Sequence, residues 1–434
     1  MSVVKSSNGF AGTDLPSDDV ITNCMHCGLC LPTCPTYSLT GREKSSPRGR
    51  IRLIKSVAEG KLEMTDGFID EMNFCLDCQA CETACPAGVQ YGSLVESARN
   101  QIRLQGKQSF GESILKKFFL RNVLANPWRL KLVARILWMY QNLGIETILK
   151  RLGLARLFAP KLSLLQELSP RIDTKFFDDL YSEVLHPGST PRYRVGFLSG
   201  CIMNVAFSQI NEDTIKVLLH HDCEVVIPKE QCCCGSLQAH NGDFDMARDL
   251  ARKNVDIFSR YELDAIVMNS AGCGAMMKEY GHYLDDDPEF STKATLIASK
   301  VKDISEFLFD IGLKPATDTF RHSVTYHDAC HLIHSQKISA QPRSLLKSIA
   351  GLEYVELNEA SWCCGSAGIY NVTRYDDSMK ILERKMSNIE KAKAEYVVAN
   401  NPGCLLQIQH GCRHHSLESK VVHLATLLRE VYQL

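Results

Sequence analysis

The apolar positions of this 434-residue chain change rhythm along its length. Across 243–260 and again across 375–393 they recur every three to four residues, the spacing that gives a helix one buried face. Between such stretches lie short, continuous apolar runs: VGFLS at 195–199, AIVMN at 265–269, VTYHD at 324–328 and YVVAN at 396–400. These predict strands, and strands alternating with helices predict α/β units built on a parallel sheet. The stretch from 101 to about 190 reads as helices, broken near Asn126-Pro127, Gly144, Ala159-Pro160 and Ser169-Pro170. No run approaches the 18 or so uninterrupted apolar residues of a membrane-spanning helix. The length exceeds what one core encloses, so two to four domains are expected.

Composition changes this picture in one respect. An apolar content of 45%, a charged content of 23% and a net charge of −1 are ordinary for a globular chain and give no reason to expect a nucleic-acid partner. Charge is uneven only at 112–161, where ten Lys or Arg face two Glu among Phe118, Phe119, Trp128, Trp138 and Tyr140. Such a segment suits an anionic membrane surface or a docking partner, although packing on its own domains with its charges in water is the simpler expectation. Cysteine is the exception, at nineteen residues. A secreted disulfide scaffold would be shorter and would open on an apolar leader, whereas this chain opens on MSVVKSSNGFAGTDLPSDD. The odd count and tight clustering predict metal ligation in a reducing cytoplasm.

Two clusters have the same spacing: Cys24-x2-Cys27-x2-Cys30-x3-Cys34-Pro35 and Cys75-x2-Cys78-x2-Cys81-x3-Cys85-Pro86. This is the bacterial run for a pair of [4Fe–4S] clusters, in which the fourth cysteine of each block turns to the other cluster. Cys24, Cys27, Cys30 and Cys85 are expected to hold the first, and Cys75, Cys78, Cys81 and Cys34 the second. Zinc ribbons instead use two separated C-x2-C pairs. The 40 residues between Cys34 and Cys75 predict helices enclosing the clusters, and so a helical ferredoxin domain. Within them, Arg48 and Arg50 could offset thiolate charge and raise a reduction potential, with a solvated turn as the plain alternative. His26 reads as a surface side chain.

The remaining chain repeats itself. Cys201, Cys233-Cys234-Gly235-Ser236 and Cys273 are answered by Cys330, Cys363-Cys364-Gly365-Ser366 and Cys404. First cysteine to doublet is 32 residues in one copy and 33 in the other; doublet to last cysteine is 39 and 40. Matched spacing predicts two similar α/β lobes, related by a pseudo-twofold axis, with their cysteines outside the carboxyl ends of the strands. The glycine after each doublet would allow the sharp turn that lets both thiols face one group. Four soft thiolates from three loops suit an iron–sulfur cluster, zinc or a redox dithiol, and the residues leave that choice open. Cys223, Cys232 and Cys412 lack counterparts and read as buried packing residues. His327 and His331 flank Cys330, where orienting a loop is the plain expectation.

These motifs resemble the iron–sulfur subunit of bacterial glycolate oxidase (glycolate dehydrogenase), along essentially the whole chain. The resemblance is carried by Cys24-Met-His-Cys-Gly-Leu-Cys30, Cys34-Pro-Thr-Tyr37, Ser46-Pro-Arg-Gly-Arg-Ile51, Cys81-Glu-Thr-Ala-Cys-Pro86, Ala271-Gly-Cys-Gly-Ala275, Lys278-Glu-Tyr-Gly281 and Cys363-Cys-Gly-Ser-Ala-Gly368. The doublet modules alone are shared with heterodisulfide reductase subunits, lactate-utilisation proteins and the small subunit of anaerobic glycerol-3-phosphate dehydrogenase. Where the fuller module ends in Cys-x-x-Cys, Ser270 and Asn401 stand here, which argues against five-thiolate ligation. The expected architecture is mixed: a helical di-[4Fe–4S] ferredoxin domain (1–105), a basic helical connector (106–190) and two Cys-Cys-Gly modules (191–318 and 319–434). The resemblance implies FAD-binding partner subunits. Two-electron oxidation of a 2-hydroxy acid needs a flavin, and no Gly-rich phosphate loop or acid–base constellation is evident in this chain, so no catalytic residue is singled out. The expected role is electron relay from a partner FAD subunit that oxidises glycolate towards a quinone-type acceptor, in the cytoplasm or peripherally on the inner membrane face. Relay from D-lactate or glycerol 3-phosphate, or a non-enzymatic redox sensor or scaffold, are the alternatives.

Overall fold

The computed structural model describes residues 9–107, 118–147 and 169–434. The N-terminal part is helical. Helices Pro35–Thr40, Pro47–Ala58, Asp66–Phe74 and Tyr91–Leu104 surround the two cysteine blocks, which lie in the loops between them. Their starts follow local chemistry: Ser46 caps Pro47–Ala58 through its hydroxyl, with Pro47 at the first helical position, and Thr65 caps Asp66–Phe74 in the same way. Ile54, Val57, Met72, Leu94, Val95 and Ala98 form a closed core between these helices.

Helix Pro127–Asn142 follows, entered from Asn126, whose side chain accepts from the Arg129 N–H, and followed by Gly144 at φ +79°. Both boundaries match the predicted breaks. The break at 159–160 lies outside the described residues. The stretch read as wholly helical also contains β1 (Val184–Leu185). This strand is two residues long and pairs at an edge, so it has no apolar run to announce it.

Two sheets make up the rest. The first contains β1, β2 (Tyr193–Phe197), β3 (Cys223–Val226), β4 (Ala265–Met268) and β5 (Val301–Asp303) in the order β1-β3-β2-β4-β5. All its pairings are parallel except β1 with β3. The second contains β6 (Ser323–Tyr326), β7 (Glu353–Tyr354), β8 (Tyr396–Val398) and β9 (Lys420–Val422) in the order β7-β6-β8-β9, all parallel. Leaving out β1, the strand order is the same in both sheets. One apolar cluster runs through both, from Val195, Phe197 and Val267 to Val324, Tyr326 and Val397. Part of this junction is polar: the Asn400 carbonyl accepts from the Ala271 N–H at 3.0 Å, and His423 Nε2 donates to the Asn269 carbonyl at 2.9 Å. Among the described residues, no helix is long and apolar enough to cross a membrane.

Candidate iron–sulfur sites

The two ferredoxin blocks shape two neighbouring cavities. Cys24, Cys27, Cys30 and Cys85 line the first, of about 430 Å3. Cys34, Cys75, Cys78 and Cys81 line the second, of about 300 Å3, and Cys81 borders both. Each cavity thus gathers the four cysteines expected to act together, three from one block and the proline-flanked fourth from the other. Cys27 is exposed, and the exposed side chains of Met25 and Leu29 flank it, so the first cavity lies at the surface. Cys34, Cys75, Cys78 and Cys81 are all buried. A donor set of four soft sulfurs around a mostly apolar hollow fits an iron–sulfur cluster at either place.

The protein around the second cavity supplies polar contacts to sulfur. Cys75 Sγ accepts from the Asp77 N–H and the Tyr91 hydroxyl, both at 3.4 Å. Cys34 Sγ lies 3.3 Å from the Thr36 hydroxyl. Arg50 is wholly buried, donating to that hydroxyl at 3.1 Å and to the Glu71 carbonyl at 2.8 Å, with the Glu71 carboxylate 3.6 Å away. Burial works against its charge, but Tyr91, Cys75, Cys34 and Glu71 outweigh that and push the guanidinium pKa up. Arg48, by contrast, bonds the His26 carbonyl and Glu43 and borders the first cavity. Burial pushes the thiols of Cys78 and Cys81 well above their ordinary range, so a group holding them as thiolates must supply compensating positive charge.

In the modules, Cys201 and Cys330 follow the carboxyl ends of β2 and β6, and Cys273 and Cys404 lie in the first turns of helices Ala271–Lys278 and Pro402–His414, after β4 and β8. Both doublets turn at a left-handed glycine, Gly235 at φ +92° and Gly365 at φ +90°. A side chain on Gly365 would come within 2.6 Å of the Ser378 carbonyl. The thiols form chains of contact: Cys201 with Cys233, Cys233 with Cys234 and Cys234 with Cys273 in the first module. Cys330 meets Cys363, Cys363 meets Cys364 and Cys364 meets Cys404 in the second. Cys223 is buried on β3, Cys412 on the helix after β8, and Cys232 packs beside the first doublet with its thiol towards the Leu250 carbonyl.

The ferredoxin blocks dock on the second module. Phe74, Leu76 and Cys78 share an apolar cluster with Trp362, Cys363 and Tyr370. Cys78 is close enough to Cys330 and Cys363 for their charges to interact. His331 Nε2 donates to the Asp77 carbonyl at 3.0 Å, and Ser335 bonds Gln79 at 2.6 Å. His331 thus orients a loop, as expected. Beside this contact, sequence reasoning missed a buried polar group of Asp77, Glu96, Arg99 and His240, whose members lie far apart in the chain and carry no motif. Lys385, fully buried with Nζ on the Glu359 and Ala360 carbonyls, was missed for the same reason.

The matches to known proteins follow this layout. Residues 20–89 match the 4Fe-4S dicluster domain, 111–169 the glycolate oxidase iron-sulfur subunit linker region, and 195–278 and 324–409 each match the cysteine-rich domain. The chain is 40% identical over 417 residues to the "Probable glycolate oxidase iron-sulfur subunit" of Bacillus subtilis (strain 168), covering 94% of each chain. It belongs to the glycolate oxidase iron–sulfur subunit family. A second member, the glycolate oxidase iron-sulfur subunit of Escherichia coli (strain K12), is 30% identical over 394 residues, covering 90% of each chain. This glycolate oxidase iron–sulfur subunit homologue also resembles lactate utilization protein A of Oceanobacillus iheyensis, at 30% identity over 54% of this chain and 96% of that one. An iron–sulfur subunit of glycolate oxidase or lactate-utilisation type is the function these relatives share.

Proposed function

We propose that this chain is the electron-transfer subunit of a glycolate-oxidising complex, receiving electrons from a partner FAD subunit that converts glycolate to glyoxylate and delivering them towards a quinone-type acceptor at the inner membrane face. The observation that carries the reading is the pair of adjoining four-cysteine cavities in a chain that matches a glycolate oxidase iron–sulfur subunit over 94% of its length. On this reading Cys24, Cys27, Cys30 and Cys85 hold one [4Fe–4S] cluster, and Cys34, Cys75, Cys78 and Cys81 the other. Cys201, Cys233, Cys234 and Cys273, and Cys330, Cys363, Cys364 and Cys404, hold a further iron–sulfur or zinc group in each module, the two modules being copies of one unit. The domains divide at about 105, 190 and 318. Bound clusters would supply one-electron carriers where hydroxy-acid oxidation releases two electrons, which is why a flavin partner is required.

The chain's own residues support an order. The exposed Met25, Cys27 and Leu29 line the first cavity at its rim, an apolar surface that suits the donor's approach. The second cavity is buried between it and the second module, against which Cys78 packs. Helix Pro127–Asn142 offers a second contact face, with Trp128, Leu132, Ile136, Met139 and Leu143 exposed along it. Its cations are engaged at home: Lys131 with Asp178 and Asp179, Arg135 over the Phe176 ring, Arg129 with Asn122. That favours a protein subunit over an anionic membrane as the occupant of this face.

The test is to purify the tagged chain anaerobically with what stays attached and to measure flavin and dye reduction with glycolate, D-lactate and glycerol 3-phosphate. Bound FAD with activity on glycolate supports the reading. Similarity to lactate utilization protein A favours D-lactate as the second reading, and activity on D-lactate alone would replace glycolate with it. Absence of both flavin and substrate-dependent reduction points instead to a metal-bearing sensor or scaffold.

A further inference from the structure

Among the positions near the sulfurs at which the two modules differ, one places a ring nitrogen beside them. Three residues before its first cysteine, the second module carries His327 where the first carries Leu198. Leu198 packs in the apolar cluster of the first module. His327 sits just past the carboxyl end of β6 and is 1% exposed. Its backbone is fixed, with its N–H bonded to the Val398 carbonyl at 2.8 Å and that of Asp328 to the Ala360 carbonyl at 3.2 Å. Asp328 is itself clamped by Arg343 at 2.8 Å through both carboxylate oxygens. The ring therefore has little freedom to point elsewhere.

Neither ring nitrogen of His327 has a hydrogen-bond partner; the Ala360 carbonyl lies near without hydrogen-bond geometry. A buried imidazole left unpaired is costly, and such a group in a folded protein calls for a partner. A nitrogen of that ring, Cys364 Sγ and Cys404 Sγ all lie within 4.8 Å of one another. The neighbouring polar side chain, Asn401, does not compete for the position. Its amide nitrogen faces Cys404 Sγ at 3.6 Å, and its carbonyl oxygen accepts from the Gly272 N–H of the first module at 3.4 Å. Imidazole binds both iron and zinc, and in iron–sulfur centres a histidine in place of a thiolate raises the potential.

We propose that His327 is a ligand of the metal group held by Cys330, Cys363, Cys364 and Cys404, so that the second module is a mixed thiolate–imidazole site and the first is all-thiolate. The inference rests on the reading that the second module holds iron–sulfur or zinc, and it is independent of which substrate feeds the complex.

The experiment uses the full chain purified anaerobically with its partners, as wild type, His327→Leu and His327→Cys. Iron and zinc contents are measured, with nitrogen hyperfine spectroscopy of the reduced protein and zinc-edge X-ray absorption to detect directly bound imidazole. Wild type should show imidazole nitrogen at iron or at zinc. His327→Leu, which copies the first module, should lose that signal while the signals of the two ferredoxin clusters persist. His327→Cys should keep the metal content and lose only the nitrogen, so a poorly accumulating leucine variant does not block the test. Unchanged metal content with an unchanged nitrogen spectrum in either variant would overturn the proposal. So would a wild type without bound imidazole, or without metal beyond that of the eight ferredoxin cysteines. Turnover is not a readout, so failure of the glycolate reading and failure of this one are told apart.

Discussion

Arg50 shows what a single side chain does at the second cavity. It is the largest fully buried side chain among the described residues, placed between Thr36, Glu71 and the thiols of Cys34 and Cys75. Replacing it with glutamine leaves Glu71 with the half-exposed Lys44 at 3.1 Å as its cation and the Ser45 hydroxyl at 3.2 Å as a neutral donor. Breaking a buried pair costs about 3–5 kcal/mol, and the remaining lysine puts Arg50→Gln near the lower end, ~3 kcal/mol by denaturant unfolding. Removing the cation should also lower the reduction potential of the group held by Cys34, Cys75, Cys78 and Cys81 and leave its neighbour at Cys24 nearly unchanged, as an EPR-monitored titration would show. Equal shifts at both would contradict the assignment of Arg50 to the second site. His423 makes a different prediction. Its Nδ1 accepts from the Ala425 N–H and its Nε2 donates to the Asn269 carbonyl, so a second ring proton would face a donor. Burial pushes its pKa down to about 4. An unfolded chain protonates this imidazole near the ordinary 6.5, so between these values the unfolded state holds more protons. The stability present at neutral pH is therefore lost as pH falls from 6.5 through 4, by roughly 3 kcal/mol for this residue. His423→Gln should flatten the dependence of unfolding free energy on pH in that window, and an unaltered slope would contradict it.

At the scale of the element, helix Pro127–Asn142 separates what a sequence can announce from what it cannot. Its start and stop were legible, because Asn126-Pro127 is a capping pair and Gly144 adopts a left-handed turn. Its exposed face was not, because Leu, Ile, Trp and Met occur all around the helix and only Leu130 among them is buried, together with Ala134. A double change, Leu132→Glu with Ile136→Glu, should shift stability by no more than about 0.5 kcal/mol, as for exposed sites. It should release the flavoprotein subunits in a pull-down of the tagged chain, and their full retention would assign this face another role. The strands β2, β4, β6 and β8 were likewise readable as unbroken apolar runs, and the doublets as paired motifs. β1, β7 and β9 are two or three residues long and lie in no longer apolar run such as the YVVAN around β8, so they do not stand out. His327 was visible as a neighbour of Cys330, but nothing local says that its ring is unpaired; that depends on β8 and the 360–364 loop closing over it.

At the scale of the whole molecule, the three cysteine-bearing parts are joined where their sulfurs lie. Cys78 packs with Cys363, the Asp77 carbonyl receives His331, and the loops after β4 and β8 bond each other through Ala271 and Asn400. The cysteine spacings named two sets of four thiols, and the cavities bring those sets together with Cys81 bordering both. The spacings carried no information about how the ferredoxin part would meet the modules, because Phe74 and Leu76 reach Trp362 and Tyr370 of the second, and Arg99 and Arg103 reach the His240 and Gly242 carbonyls of the first, only in the finished fold. On the proposed function, the sulfur sites are reduced by electrons from a hydroxy acid through an attached flavin. The most direct measurement is EPR of the anaerobic, oxidised complex, frozen before and after adding glycolate without any dye or acceptor. Reduced iron–sulfur signals should appear with glycolate, and those of the two ferredoxin sites should be lost in the Cys24→Ser and Cys78→Ser variants respectively. Signals that appear with dithionite but with none of glycolate, D-lactate or glycerol 3-phosphate, in a preparation that contains flavin, would contradict it.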